Sequence, residues 1–503
     1  MPLALPNRSL AAALLVLAAL WLASCAVPLG PGYTVEKQSV AVRFVPGAEP
    51  RVEIRGDYLL RNTGKQPLDG LELRLPRGSV VRLEAVSTAW DGQAGLFEPS
   101  RDPNGDILRL KLSAPWPLKQ KHALHIEYDI VRAAPNTPQL DLAADGFYLP
   151  PDQWLAVLLP SHGAFGRGGI PPKEWTLTVR APADFLVHAS GESKRPKRQS
   201  RDALEFSQRT PGLAAFVVGG RYFQQEYRGA TTTVYVWKKN KFDKPEAQPL
   251  ADAVHEIART YEAMFGPRDK IPRYIWIADS PLPANRYGFV TPAGLGEVGG
   301  LPPAPNFAFI PMAASGKEVP SQGGDLREIA RSLAWSWSGF GLNSGYQDQP
   351  EPLRSLPLYA ASVALEAIEG PQARTRMIQE SLAEYDAKQS SRPTVVQEGS
   401  KKEIAVFTDG FANPLKTLLF YSALEDRFGR ANLHKALRYM VQARRGRGYD
   451  LNDLIAALEK ETKQNAAEFV RLWRKHPGIP GEFRARYANQ PAPAATSSKE
   501  INP

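Results

Sequence analysis

The sequence predicts an α+β protein of several domains, in which an N-terminal antiparallel β saddle or sandwich precedes a mostly helical domain. Short segments that alternate apolar and polar residues, separated by Gly, Pro, Asn and Asp, fill the chain from about residue 33 to 237. From Leu250 onward the apolar residues recur at the period of a helix instead. At 503 residues the chain is long enough for two or three domains with large cores.

The β half is predicted from short runs bounded by turn residues, a spacing that favours antiparallel sheets. Strands are expected at Val40–Phe44, Arg51–Leu60, Leu71–Leu75, Ile107–Leu112, Leu124–Ile130 and Trp175–Arg180, with Thr232–Trp237 as the last. A polar segment containing proline, Lys238–Pro249, is the predicted linker to the helical half.

The helical half begins with an amphipathic helix at Leu250–Phe265, which Gly266 and Pro267 should end. A strand at Tyr274–Ala278 and a stretch rich in Gly and Pro follow. Further helices are predicted at Asp325–Phe340, Leu356–Ile368, Pro371–Ala387, Leu415–Phe428, Ala431–Gln442, Leu451–Glu461 and Asn465–Lys475. The prolines of Pro477–Pro480 should stop this array, and the tail after it is rich in Pro, Ala and Ser.

The N-terminus has the pattern of a bacterial lipoprotein signal. Arg8 precedes an apolar run that is too short to span a bilayer comfortably, and Leu22-Ala23-Ser24-Cys25 follows as a lipobox. Cys25 is the single cysteine, so we expect it to carry the lipid; an uncleaved anchor with a buried free cysteine is the alternative. Ala26 stands where inner-membrane lipoproteins often carry Asp. The prediction is an outer-membrane lipoprotein facing the periplasm, with the inner membrane as the alternative.

The basic residues are dispersed apart from two clusters, Lys194–Arg198 and Arg444–Arg447. The chain carries a formal charge of +10, and the leader holds only Arg8, which leaves +9. Ordinary solubilising charge is the favoured interpretation, with weak attraction to anionic headgroups or acidic polymers as the alternative. No platform of interleaved aromatic and basic residues is present, so nucleic acid is not an expected partner.

The predicted organisation has six parts. They are a signal peptide (1–24), a lipidated tether (25–36), a β-rich saddle domain (37–238), a second domain (239–430), C-terminal helices (431–485) and a disordered tail (486–503).

Several fragments, in their order and spacing, resemble the aminopeptidase N family, peptidase family M1. They are Pro211–Gly219, Thr260–Pro267, Trp337 with Gly339, Tyr359, Lys416 to Gly429, and Trp473 with Pro477–Pro480. The resemblance covers roughly residues 35 to 482. It implies a β saddle, a thermolysin-like metallopeptidase domain over 239–430, and helices behind it.

The resemblance also implies a zinc-binding H-E-x-x-H helix, where His at i and i+4 project from one face. In the register set by Trp-x-Gly, the two histidine positions hold Arg331 and Trp335, and the glutamate position holds Ser332. The third ligand position falls on Arg354. A guanidinium is always charged and an indole has no lone pair to donate, so these side chains cannot bind zinc in the familiar way.

The family's substrate-binding positions are altered too. Its G-A-M-E-N loop falls near Gly288–Pro292, which keeps Gly288 but has Thr291 where the glutamate should be. Its transition-state tyrosine falls on Pro414. We therefore assign no catalytic residue.

A second register, four residues earlier, does not restore the zinc site. It keeps Glu328 as the glutamate and places Glu351 near the third ligand, but both histidine positions, Arg327 and Arg331, are arginine. Independently of register, no His and no Cys occurs between Glu256 and Leu433. No metal and no other cofactor is expected.

The altered cleft suggests a ligand-binding site. Arg331 and Arg354 would bind an anionic group such as a peptide C-terminus or an acidic side chain, with Trp335 as an apolar surface. Gly288 and Thr291 complete this candidate set. In the alternative, the arginines pair with Asp325, Glu328 or Glu351 and the tryptophans fill the collapsed cavity, which is the favoured interpretation for Trp337.

Two classes of function follow. The first is a non-catalytic binding or assembly module, tethered to the membrane by its lipid and partnered by a peptide or by a periplasmic or outer-membrane protein. The second is a hydrolase or aminopeptidase that uses an atypical metal or none.

Overall fold

The computed structural model describes most of the chain between residues 32 and 488. The described residues are 32–76, 81–93, 97–101, 107–132, 141–150, 154–160, 170, 172–194, 203–208, 215–267, 274–279, 306–310, 324–338, 356–390, 414–444, 450–476 and 478–488. The predictions for Cys25, Gly288, Thr291 and Arg354 lie outside them.

The first half consists of strands, as predicted. In chain order they are β1 (Tyr33–Val45), β2 (Arg51–Asn62), β3 (Leu68–Arg74), β4 (Val81–Trp90), β5 (Phe97–Arg101), β6 (Ile107–Trp116), β7 (Lys121–Arg132), β8 (Asp141–Ala143), β9 (Gly146–Leu149), β10 (Val157–Leu159), β11 (Pro172–Arg180), β12 (Leu186–Ala189), β13 (Glu192–Lys194), β14 (Ala203–Gln208), β15 (Val217–Gly220), β16 (Phe223–Arg228) and β17 (Thr233–Lys238). Alternate residues of β2 are buried, which is the period expected of a sheet with one face on a core.

Within the described residues these strands form three sheets of the saddle. Their orders are β13-β14-β11-β1-β2-β7-β4, β10-β3-β6-β5 and β12-β15-β9-β8. Pairing is antiparallel except between β1 and β11, which are parallel. One apolar core fills the saddle, and buried tyrosines bind the backbone across it: the Tyr58 hydroxyl donates to Ala156 O at 3.0 Å and the Tyr128 hydroxyl to Trp154 O at 2.9 Å.

The hairpin β16–β17 belongs to a different sheet. It continues into β18 (Tyr274–Asp279) and β19 (Phe307–Ile310), in the order β16-β17-β18-β19, with parallel pairing from β17 onward. Its residues Tyr227, Val234 and Val236 lie in the apolar core of the helical half. The core of the second half therefore begins before residue 239, where the sequence analysis placed the start of that domain.

The helices pack on this second sheet and on each other. They are α1 (Gln248–Phe265), preceded by a 3₁₀ turn at Lys244–Ala247, α2 (Gly324–Ser338), α3 (Leu356–Glu369), α4 (Pro371–Ser390), α5 (Pro414–Phe428), α6 (Arg430–Ala443), α7 (Leu451–Thr462), α8 (Ala466–Lys475) and α9 (Gly481–Ala488). Gly266 ends α1 with a φ of +90°, a conformation that glycine adopts readily. The predicted helix end is confirmed.

Both ends of the described chain extend past the predicted limits. β1 begins at Tyr33, inside the predicted tether, because Tyr33 is fully buried and its hydroxyl donates to Leu159 O at 2.6 Å. α9 runs to Ala488, past the predicted start of the tail at 486. The Tyr487 hydroxyl binds the Asp426 carboxylate of α5 and holds this helix in place. In the described part of the chain, no helix is both long enough and apolar enough to cross a bilayer.

Candidate functional site

Helix α2 carries the positions at which the sequence analysis placed a lost zinc site. Its apolar residues Leu326, Ile329, Ala330, Leu333 and Ala334 are spaced three and four apart and are buried in the helical core. α2 packs against α1, α3 and β19. The Tyr261 hydroxyl of α1 donates to Ala330 O at 2.7 Å, which fixes the middle of α2.

Arg331 lies on α2 beside a carboxylate of the same helix. Its Nε donates to Glu328 Oε2 at 2.9 Å and its Nη2 donates to Glu328 Oε1. The two side chains are only 15% and 14% exposed. Glu328, one turn earlier, thus supplies the forked partner that the sequence analysis foresaw as an alternative to a bound anion. An anionic ligand would have to share or displace this carboxylate.

The other arginine of α2 is paired as well. Arg327 Nη2 donates to Glu380 Oε2 of α4 at 2.8 Å. Because Arg327 and Arg331 are four residues apart, both guanidinium groups project from neighbouring turns of α2. Glu380 of α4 pairs with Arg327, and Glu328 of α2 itself pairs with Arg331.

The tryptophans of α2 are core residues. Trp335 is 2% exposed and Trp337 is 5% exposed. The Trp337 ring packs edge-on against Tyr261, with centroids 5.4 Å apart. Trp337 therefore fills the interior, as expected. The burial of Trp335 places it inside the fold rather than on an open surface, and its contact with a ligand stays a prediction.

The side chains of α2 do not fit the zinc ion that a metallopeptidase fold implies. Zinc in proteins is bound by thiolate, imidazole and carboxylate, whereas a guanidinium carries hydrogens on every nitrogen and no free lone pair. α2 has two carboxylates, Asp325 and Glu328, and Arg331 already binds both oxygens of Glu328. Among the described residues, no three His, Cys, Asp or Glu side chains are grouped as metal ligands.

A second polar cluster joins α3, α4, α5 and α6, and it was not predicted from the sequence. Its centre is Glu425 of α5, which accepts two hydrogen bonds from Arg374 at 2.8 and 2.7 Å. Arg430 Nε donates to it at 2.7 Å, and the Tyr359 hydroxyl donates at 2.7 Å. His434 Nε2 lies 3.2 Å from the Tyr359 oxygen. Because Tyr359 gives its hydrogen to Glu425, His434 is the donor in that contact.

The pKa values in this cluster follow from burial and charge. Burial acts to raise the pKa of Glu425, but Arg374, Tyr359 and Arg430 outweigh it and hold the pKa below its ordinary value. Burial lowers the pKa of His434 to about 4, against the opposing charge of Glu425. The cluster thus has an ionised carboxylate and a neutral imidazole at neutral pH. Of these residues only Tyr359 was singled out in the sequence, through the family resemblance.

Helix α1 carries a partial H-E-x-x-H pattern, in which Arg259 stands at the second histidine position. His255-Glu256-Ile257-Ala258-Arg259 contains a Glu and an Arg three apart, and the structure pairs Arg259 with Glu256. This is the stabilising (i, i+3) arrangement on a helix surface.

The sequence matches no protein-family model and no curated protein significantly. The fold, by contrast, is similar to solved zinc peptidases. An M1 zinc metallopeptidase from Deinococcus radiodurans aligns over 90% of this chain and 96% of its own, with a TM-score of 0.58 and 17% identity. A yeast LTA4 hydrolase aligns over 90% of this chain and 69% of its own, with a TM-score of 0.57 and 15% identity.

A mutant of the Deinococcus enzyme, solved with a bound Tyr-Ser-Ala substrate, aligns over 89% of this chain and 95% of its own, with a TM-score of 0.59 and 17% identity. At such identities the likeness is one of fold. The chain has the two-part α+β architecture of M1 zinc metallopeptidases, as the sequence predicted.

Proposed function

We propose that this protein is a lipid-anchored periplasmic protein in which an M1-type aminopeptidase fold serves as a non-catalytic module that binds a peptide or another protein. The observation that carries the proposal is the side-chain chemistry of α2. Arg327 and Arg331 lie one helical turn apart on a helix of a metallopeptidase fold. Arg327 pairs with Glu380, and Arg331 pairs with Glu328. A zinc-activated water cannot be held there by these groups.

Peptide is the proposed ligand class for two reasons. A mutant of the Deinococcus enzyme, which has this fold, was solved with a bound tripeptide. The Arg331 guanidinium can donate two parallel hydrogen bonds to a ligand carboxylate if Glu328 is displaced. Trp335, Arg354, Gly288 and Thr291 complete the proposed site. The lipid anchor at Cys25 is supported by the lipobox pattern of residues 22–25.

The first experiment asks whether the purified full chain contains metal and turns over aminoacyl-anilide substrates. We expect zinc far below stoichiometric amounts and no turnover. Near-stoichiometric metal with chelator-sensitive cleavage would contradict the proposal and establish the alternative, an atypical hydrolase.

The second experiment titrates acidic peptides into the wild type and three variants. Arg331→Ala should weaken affinity by about tenfold or more, because a charge-assisted hydrogen bond contributes roughly 1.5–3 kcal/mol. Glu328→Gln should tighten it, because it frees the guanidinium from its internal partner. Arg376→Ala is the control, since Arg376 forms an exposed ion pair with Glu369 on α4 and α3. Equal affinity in all four proteins rules out the cleft as the site.

A separate experiment addresses the anchor. Labelling of growing cells with a radioactive fatty acid should mark the wild type and leave Cys25→Ser unlabelled. Label on the Cys25→Ser chain would contradict the lipobox assignment without bearing on the cleft.

A further inference from the structure

The C-terminal helices carry most of the net positive charge of the chain. Residues 431–488 contain 12 Lys and Arg against 6 Asp and Glu, a surplus of 6 out of the total of +10. In the sequence, Arg444–Arg447 is the one basic cluster of this region, and its other basic residues are dispersed. Seven of the twelve lie on α6, α7 and α8 or directly after α7, and these helices pack together; they are Lys435, Arg438, Lys460, Lys463, Arg471, Arg474 and Lys475.

Three of the six acidic residues of this region are used inside it, whereas Glu461 is half-buried and Glu468 and Glu482 are exposed. Asp450 and Asp453 form the capping box at the start of α7, and Asp453 also pairs with Arg444. Glu459 accepts the backbone N–H groups of Ala466 and Ala467, both at 3.1 Å, at the start of α8. These carboxylates are therefore directed at helix ends rather than at the neighbouring lysines.

Arg438 donates to Ala263 O, and six further exposed cations of the described helices are left, which we call the basic surface. They are the exposed side chains of Lys435 on α6, Lys460 and Lys463 at the end of α7, and Arg471, Arg474 and Lys475 on α8. None of the six forms an ion pair in the described part of the chain.

Two large apolar side chains of these helices are exposed, Tyr439 and Leu472. Tyr439 of α6 is 46% exposed, and Lys460 Nζ of α7 lies 3.9 Å from its ring centroid, which brings the outer faces of the two helices together. Leu472 of α8 is 53% exposed and is flanked by Arg471 and by Lys475. Tyrosine and aliphatic side chains within a basic face are typical of surfaces that rest on lipid headgroups.

We propose that the basic surface docks on a bilayer that contains anionic phospholipid, with Tyr439 and Leu472 entering the headgroup region. The cations supply charge complementarity to lipid phosphates, and the two apolar side chains supply contact that a purely electrostatic attraction lacks. This docking depends neither on the acyl anchor nor on the altered cleft. It orients the helical half toward the membrane.

The test uses the chain from residue 25 onward with Cys25→Ser, so that no acyl group can contribute. We expect it to co-sediment with phosphatidylglycerol-containing vesicles and not with purely zwitterionic ones, and to be released as salt rises. The triple variant Lys435→Gln, Lys460→Gln, Lys463→Gln should lose about a hundredfold in partition, at about fivefold for each charge. Unchanged thermal unfolding shows that the variant is folded.

The matched control removes three exposed lysines of the saddle, with Lys37→Gln, Lys65→Gln and Lys111→Gln. It has the same net charge as the triple variant and should keep the wild-type partition. Tyr439→Ser with Leu472→Ser should lower partition while leaving its salt dependence unchanged, because no charge is removed.

Three outcomes overturn the proposal. The first is equal partition of the two triple variants, and the second is equal binding to zwitterionic vesicles. The third is that the triple variant loses binding to soluble polyglutamate while its vesicle partition is unchanged. That result would assign the surface to an acidic protein partner instead.

Discussion

Glu425 connects α5 to three other helices of the helical half. One carboxylate on α5 accepts hydrogen bonds from α3, α4 and α6, through Tyr359, Arg374 and Arg430. Glu366 of α3 gives Arg430 a second acceptor at 2.8 Å. A charged group loses its hydrogen bonds to water when it is buried, so it is stable only if protein groups supply them instead. Removing one partner of such a buried pair leaves the other charge buried without compensation.

The residue-scale prediction concerns the variant Glu425→Gln. It should lower the free energy of unfolding of the helical half by about 3 kcal/mol, because the buried Arg374 would lose its nearest counter-charge. Glu482→Gln, which changes an exposed glutamate on α9, is the control and should be neutral within about 0.5 kcal/mol. Urea unfolding of both variants measures the difference, and equal midpoints would show that the cluster contributes no stability.

Helix α7 shows how a local signal defines one element. The Asp450 side chain accepts the backbone N–H groups of Asn452 at 2.8 Å and Asp453 at 3.1 Å, and the Asp453 carboxylate accepts the N–H of Asp450 at 3.0 Å. This reciprocal capping satisfies amides that the helix itself leaves without partners. It starts α7 at Leu451, where the sequence predicted it to start.

The element-scale prediction is the loss of this cap. Asp450→Ala should destabilise the first turn of α7 by about 1 kcal/mol. Hydrogen exchange at the amides of Asn452 and Asp453 should become faster than in the wild type. Asn452→Ala changes an exposed side chain in the same turn and should leave exchange in the rest of α7 unchanged. If both variants behave alike, the capping box is not what holds the helix start.

At the scale of the whole molecule, an aromatic contact joins the saddle to the second sheet. The His188 ring of β12 stacks on Trp276 of β18, with centroids 3.6 Å apart. Phe216 of β15 and Phe307 of β19 pack in the same apolar cluster, their centroids 5.9 Å apart. Burial lowers the pKa of His188 to about 3, so the ring is neutral in the folded protein.

The whole-molecule prediction is acid sensitivity. The His188 pKa is about 3 when folded and about 6.5 when unfolded, so only the unfolded chain takes up this proton between those values. The contribution of His188 to the free energy of unfolding is fully present above pH 6.5. Below pH 6.5 the free energy of unfolding should fall by about 1.4 kcal/mol for each pH unit. His434, whose pKa is also lowered by burial, acts in the same direction.

Unfolding measured from pH 7 to pH 4 tests this effect. His188→Phe keeps an aromatic ring in the stack but cannot titrate, so its stability should depend less steeply on pH. His476→Phe, at an exposed position, should keep the wild-type slope. Identical slopes for the wild type and His188→Phe would contradict the assignment.

The elements that the sequence located well are those with strong local signals. The helix Leu356–Ile368 was predicted within one residue of α3 (Leu356–Glu369), because its composition and boundaries are readable locally. β19 was missed because Phe307–Ile310 is four residues long in a region rich in proline and glycine. α9 was missed because its contacts are distant: Arg484 pairs with Asp386 at 2.7 Å and Tyr487 with Asp426.

The candidate site also has features that the sequence determines and features that depend on tertiary structure. The absence of imidazole and thiol between Glu256 and Leu433 is a property of composition, so the sequence alone determined which metal-binding atoms the cleft region can offer. The pairing of Arg327 with Glu380, and of Glu425 with Arg374 and Tyr359, joins residues 51 to 66 positions apart. Only the tertiary structure decided these partners, because a charge is neutralised by whatever lies within a few ångströms of it, and chain order does not specify that distance.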